Sequence, residues 1–240
     1  MRSLILPPAL SLPTAKTQVR LPAWKRALDL TCCLVALPAL ILLNLIMTLL
    51  TALVSPGPVI FRQERVGWKG QVFRIYKFRT MHAGADSRRH EQHVKELIGS
   101  NAPMVKLDEC GESRLFPGSR LLRASGLDEL PQIINVLRGE MSIVGPRPCL
   151  PSEFAEYLPW QRQRCEAVPG LTGLWQVSGK NRTTFEEMIR LDIRYAETRS
   201  PGLDLNIILR TLPALLQQLQ DIWQGRKAAA PSAHTIPPFA

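Results

Sequence analysis

The chain has 240 residues, enough for one large domain or two small ones around a real core. Its 30 Lys and Arg outnumber its 20 Asp and Glu, a formal charge of +10 that points to anionic partners. Five cysteines, an odd number with no CxxC pair, argue against a disulfide framework and for reduced thiols on a cytosolic side. Of the four histidines, His90 and His93 could share a helix face, but no third ligand is evident, so a zinc-type site is not expected.

Residues 1–22 read as a flexible lead, and Pro7, Pro8 and Pro13 interrupt any signal-peptide core. From Thr31 to Val54 there are 24 residues without a charge, long enough to cross a bilayer. Pro38 lies inside this run and predicts a break or kink there. Both flanks are basic: Trp24-Lys25-Arg26 before, and Arg62, Arg65 and Lys69 after. Because positive flanks stay cytosolic, a helix over 23–56 that enters and returns on one face fits better than a span. A single kinked crossing and a cleaved signal ending near Ala52–Ser55 are the alternatives.

"SPGP" at 55–58 stops the apolar run. Short strands are predicted over Val59–Phe61 and Val72–Tyr76, with the turn at Gly67–Gly70. A helix is predicted near Ser87–Ile98, among polar loops that fill 83–120. Pro131–Leu137 reads as a short helix with Pro at its first position and Gly139 just beyond its end. "EMSIVGPRP" reads as a turn, 152–166 as an amphipathic helix, and "VPGLTGLWQVSGKN" as a Gly-rich loop or hairpin. A helix is predicted over Thr183–Thr198, with a capping box from Thr183 and Glu186 or from Thr184 and Glu187. Leu203–Trp223 is an amphipathic helix suited to a core or a membrane surface. Residues 226–240 read as a disordered tail. The fold class is predominantly α with a small β-hairpin (α+β).

The chemistry concentrates in "RASGLDELPQIINVLRGEMSIVGPRP". Asp128 and Glu129 stand together just before Pro131, where a helix start favours anions. One carboxylate could attack as a nucleophile while its neighbour holds Mg2+. Cations would have to offset the charge of a phosphate under attack. That gives Arg123, Arg147, Lys77 and Arg79 a purpose. On these grounds alone, a capping preference and solvated arginines remain the simpler account.

The order of the segments adds to this. The basic flank, the interrupted apolar run, "SPGPVIFRQERVG", "YKFRTM", "SGLDELPQIINVLRGEMSIVGPRP" and "VPGLTGLWQVSG" together resemble the bacterial sugar transferases, the monotopic polyprenyl-phosphate phosphoglycosyl transferases. The resemblance covers residues 24 to about 220. It implies a re-entrant membrane helix broken at Pro38, interfacial amphipathic helices, and a catalytic domain over 57–225 on the cytosolic face of the bacterial inner membrane. It implies transfer of a sugar-1-phosphate from a UDP-sugar to undecaprenyl phosphate, with Mg2+ as cofactor and release of UMP. Asp128 matches the nucleophile that carries the phosphosugar, and Glu129 its dyad partner, which assists the Mg2+ site or proton handling. Arg123 and Arg147 match phosphate-contacting positions, and Lys77, Phe78, Arg79 and Thr80 match the family's "KFR" motif. Pro146 and Pro148 would shape the turn that presents Arg147.

Some residues depart from the family pattern. Leu37 stands where many members place Ser before the proline, which weakens a sharp bend, and Gly126 replaces a common spacer. No N-terminal multi-span module is expected. "GLWQVSGKNRTTFEEMIRLD" is similar to members that start exopolysaccharide or O-antigen units with a hexose, galactose or glucose. The family also implies homodimers and contact with anionic headgroups. The rival reading is a non-catalytic basic scaffold of glycan assembly. A nucleic-acid partner is not expected, because aromatics do not interleave with the basic residues as stacking platforms.

Overall fold

The computed structural model describes residues 21–82, 88–100, 115–116, 118–179 and 183–223. The expected lead (except residues 21 and 22), the expected tail and the loop over 101–114 lie outside these described residues. The fold is mostly helical, with two small two-stranded sheets and an apolar helix leading in.

Helix α1 spans Ala23–Val54 and is long and apolar enough to cross a membrane. The break expected at Pro38 is not found: α1 continues through it as one helix. Packing explains this. Lys25, Asp29, Cys33, Met47 and Thr51 are buried, and Ala36, Leu40, Leu43 and Leu50 are packed between them. Steps of three and four residues make this one stripe, and burial along both halves offsets the hydrogen bond that proline removes. The opposite face, including Leu34, Val35, Ile41, Leu42, Leu45, Leu49 and Leu53, is exposed.

Polar contacts fix both ends of α1. The buried Lys25 ammonium donates to Asp204, to the Tyr195 hydroxyl and to the Val144 carbonyl. Asp29 accepts from Ser142 Oγ and from the Ile143 N–H, each at 2.8 Å. At the far end, Arg79 donates to the carbonyl of Ser55.

Strands β1 (Ile60–Val66) and β2 (Val72–Phe78) form the expected antiparallel hairpin, longer than predicted. Its turn holds Lys69 at φ 50° and Gly70 at φ 76°. Helix α2 (Arg88–Gly99) falls within a residue of its predicted bounds. After α3 (Ser119–Ala124), Gly126 at φ 72° turns the chain into a 3-10 segment, Leu127–Gln132, which leads into α4 (Ile133–Leu137). The helical path therefore begins before Pro131, and the Glu129 N–H is already bonded to the Gly126 carbonyl at 3.0 Å.

Two further expectations change. The predicted helix over 152–166 divides into α5 (Pro151–Glu156) and a 3-10 segment, Gln161–Glu166. Pro159 is the cause, since it disfavours helical geometry at Leu158. The "EMSIVGPRP" and "VPGLTG" segments, expected as a turn and a loop or hairpin, supply β3 (Ser142–Val144) and β4 (Gly170–Thr172), which pair in parallel. Beyond them lie α6 (Leu174–Val177), α7 (Phe185–Thr198) and α8 (Pro201–Trp223). The capping box at α7 uses Thr184 and Glu187.

The main core joins Val66, Val144, Tyr157, Trp175, Phe185, Ile189, Tyr195 and Ile207 across β1, β3, α6, α7 and α8. At its edge β3 and β4 run so close that no Cβ fits. One added at Gly145 would lie 2.2 Å from the Val168 carbonyl oxygen, and one at Gly170 would lie 2.1 Å from the Gly145 nitrogen. The Gly170 N–H bonds the Pro146 carbonyl at 2.9 Å, which sets the start of the Pro146-Arg147-Pro148 turn.

Gly170→Ala is therefore expected to destabilise the protein by about 4 kcal/mol or more, among the largest single-residue effects. Gly202→Ala, in α8 with nothing near its Cβ position, should be neutral or stabilise by about 0.5 kcal/mol. Thermal unfolding of both variants in detergent measures the contrast. Equal melting temperatures would refute the tight crossing.

Candidate active site

Three segments converge on the dyad. The 3-10 turn carries Asp128 and Glu129, β2 brings Lys77, and the turn after β3 brings Arg147. Lys77 Nζ lies 2.8 Å from Glu129 Oε1, and Arg147 Nη1 lies 3.7 Å from the same oxygen. Asp128 is only 7% exposed. Burial pushes the Lys77 ammonium below its ordinary range; Glu129 chiefly, and Asp128 less, pull it back, while Arg147 and Arg65 oppose them.

Beside Glu129 a small cavity opens. Its polar lining comprises Arg65, Lys77, Glu129, Gln132, Arg147 and Gln176. Arg65 was not among the expected site residues, although the hairpin register holds the signal for it. Phe61, Gln63 and Arg65 pair with Lys77, Ile75 and Phe73, so the strand period of two puts Arg65 and Lys77 on the same face.

The other expected residues take different places. Arg123, one turn before the dyad, donates from Nη1 to Thr80 Oγ1 at 3.4 Å. Arg79 is buried at the end of α1, where its cation faces carbonyls at the negative end of the helix dipole. Its one described side-chain hydrogen bond is to the Ser55 carbonyl rather than to the dyad. Pro146 is buried and supports the turn through its carbonyl.

Arg164 and Asp192 were also missed. They form a buried ion pair, each side chain 2% exposed. Arg164 Nη2 donates to the Arg147 carbonyl at 3.0 Å, and Asp192 in turn holds Arg164. The pair therefore anchors the Arg147 backbone at its carbonyl. Arg164 Nη1 adds a 2.8 Å bond to the Tyr157 hydroxyl. Burial pushes the Asp192 carboxyl up to about 6 against the pull of Arg164, and the pair stays ionised at neutral pH. Nothing in a lone "QRQR" or "RLDIR" marks such a pair; only the tertiary fold joins them.

Mg2+ commonly takes one or two protein carboxylates and completes its octahedron with substrate phosphates and water. Among the described residues no cluster of three His, Cys, Asp or Glu occurs. Two adjacent hard carboxylates fit this substrate-completed mode and not an all-protein cage. Together with the cations, they make a site suited to a phosphorylated ligand.

Breaking the buried pair should cost far more than replacing it. Asp192→Ala is expected to lower stability by about 3 kcal/mol by leaving Arg164 unpaired. Arg164→Met combined with Asp192→Leu should recover most of that loss. Unfolding of the three proteins forms the cycle, and a double variant as unstable as the single one would contradict it.

Residues 20–218 match the family model described as bacterial sugar transferase. A galactosyl transferase of Streptococcus agalactiae is 43% identical over 67% of this chain and 35% of its own length. A UDP-glucose:undecaprenyl-phosphate glucose-1-phosphate transferase of Caulobacter vibrioides is 38% identical over 89% of this chain and 76% of its own. An undecaprenyl-phosphate galactose phosphotransferase of Salmonella typhimurium is 33% identical, and this chain spans 40% of it. With most of its length matched to one family, this chain belongs to the bacterial sugar transferases.

Proposed function

We propose that this enzyme transfers a hexose-1-phosphate from a UDP-sugar to undecaprenyl phosphate, through a phosphosugar carried on Asp128, as the first membrane step of surface glycan synthesis. The observation that carries this is the buried Asp128, next in the chain to a Glu129 that lines a cationic cavity and is engaged there by Lys77 and Arg147. The relatives' names support a hexose, galactose or glucose, as the donor sugar.

In the first half-reaction an Asp128 carboxylate oxygen attacks the phosphorus bonded to the sugar. The bond from that phosphorus to the bridging oxygen breaks, and UMP leaves with the electron pair. In the second, a phosphate oxygen of undecaprenyl phosphate attacks the same phosphorus and releases Asp128. Lys77 and Arg147 offset the charge that would otherwise repel the nucleophile. Asp128 and Glu129 would hold Mg2+, which supplies further charge neutralisation at the diphosphate.

The reading extends to the membrane. α1 would enter one leaflet and return to the cytosolic face by bending at Pro38 within an unbroken helix, because both its ends are tied to the same body. The exposed leucines of α8, Leu205, Leu209, Leu212 and Leu216, would rest at the interface.

Asp128→Asn should reduce UMP release from UDP-galactose or UDP-glucose by about 10^3-fold or more, with membrane association retained. EDTA should abolish release by the unaltered enzyme, and Mg2+ should restore it. No UMP from any UDP-sugar in a panel would favour the scaffold reading. Cysteines engineered near residues 21 and 60 should label from the same side of sealed vesicles; labelling from opposite sides would sink the re-entrant arrangement.

A further inference from the structure

Arg65 poses an electrostatic problem that the fold leaves open. It is 5% exposed, on the face of β1 that it shares with Lys77. Nη2 donates to Gln63 Oε1 at 2.7 Å, and Nη1 reaches the Pro148 carbonyl at 3.3 Å. Its Nε is buried and has no partner. Among the described residues no carboxylate forms an ion pair with it. A buried guanidinium with only neutral acceptors keeps most of its desolvation cost.

Its neighbours add to that cost. Arg65, Lys77 and Arg147 line one cavity, and Glu129 is the only carboxylate among the lining residues. Glu129 is shared between Lys77 and Arg147. Glu153 also acts on Arg65 and Asp128 on Lys77, but neither lines the cavity, so the wall a ligand meets carries three cations and one carboxylate and suits a dianion. A guanidinium also presents parallel N–H donors that match two phosphoryl oxygens. The lining amides of Gln132 and Gln176 add polar wall without adding negative charge.

We infer that Arg65 is a substrate-contacting residue, the inner wall of a phosphoryl subsite completed by Lys77 and Arg147. This rests on the phosphotransfer reading above and adds a residue to it. The phosphoryl group could belong to the diphosphate of the sugar nucleotide or to the phosphate of the lipid acceptor, and the two have separate tests.

The experiment uses the full chain in detergent, with Arg65→Met and Arg65→Lys. Thermal unfolding is followed with and without UDP, and with and without a short-chain polyprenyl phosphate. In the unaltered protein the phosphorylated ligand should raise the melting temperature by mass action. Arg65→Met should melt at the same or a higher temperature than the unaltered protein without ligand, and should lose that rise. Arg65→Lys should keep only part of it. In turnover, the KM of the matching substrate should increase by about tenfold, the equivalent of one charge-assisted contact, with kcat changed less. A loss confined to UDP assigns the subsite to the nucleotide; one confined to the polyprenyl phosphate assigns it to the acceptor.

A markedly lower melting temperature for both variants, with the ligand-induced rise intact, would overturn the inference and leave Arg65 structural. If Arg65→Met does not fold, an undiminished rise in Arg65→Lys also overturns it. The ligand arm needs no turnover. An enzyme that releases UMP with an Arg65-independent rise therefore loses the subsite but keeps the activity. One that shows an Arg65-dependent rise without UMP release keeps the site and loses the reaction.

Discussion

The contact on which the site depends is the crossing of β3 and β4, where Gly145 and Gly170 approach without room for a side chain. The approach brings the Gly170 N–H onto the Pro146 carbonyl and so fixes where the next residue, Arg147, leaves the strand. Pro146 and Pro148 restrict φ on either side. Arg164, held by Asp192, then grips the carbonyl of Arg147. A flexible cation is thereby given a defined backbone, and rigid elements supply the precision that charge stabilisation of phosphoryl transfer needs.

Much of the structural polarity is inside and much of the apolar surface is outside. Lys25 with Asp204, and Arg164 with Asp192, are ion pairs with almost no exposure. Leucines of α1 and α8 face outward. Such pairs add little net stability over well-packed apolar residues, but they penalise any arrangement that separates them. A protein whose outer face is lipid-like cannot rely on apolar burial alone to choose between water, lipid and its own core. The buried ion pairs and the hydrogen bonds around them make that choice.

The sequence made the local elements readable and hid the long-range ones. The α7 capping box, the hairpin and α2 follow from spacing and turn residues, which act over a few positions. The parallel pairing of β3 with β4 was hidden because each strand is three residues long and the two lie 25 residues apart. At Pro38 the local rule was incomplete: packing along both halves of α1 keeps the helix continuous through the proline. At the site, Asp128, Glu129, Lys77 and Arg147 stood out as charges in ordered motifs. Arg65 sat in a basic flank and looked like a membrane-side charge until the register put it beside Lys77. Arg79 read as a phosphate ligand and instead holds the end of α1.

The apolar contacts of α1 do not by themselves decide how it meets a bilayer. Met47 and Leu43 packed on Phe78 and Phe116 could exchange those partners for acyl chains at little cost, since lipid is as apolar as a core. The polar contacts cannot be exchanged. If the first turns of α1 left the domain, Lys25 would leave Asp204, and Asp29 would leave Ser142 and Ile143. If the last turn left, Arg79 would lose the Ser55 carbonyl. Hydrocarbon offers no replacement for any of these, and an unsatisfied polar group there costs several kcal/mol. A crossing helix has to give up one set or the other, whereas a helix that stays on one face keeps both. The polar residues at its two ends, more than the proline at its centre, favour the re-entrant arrangement proposed above.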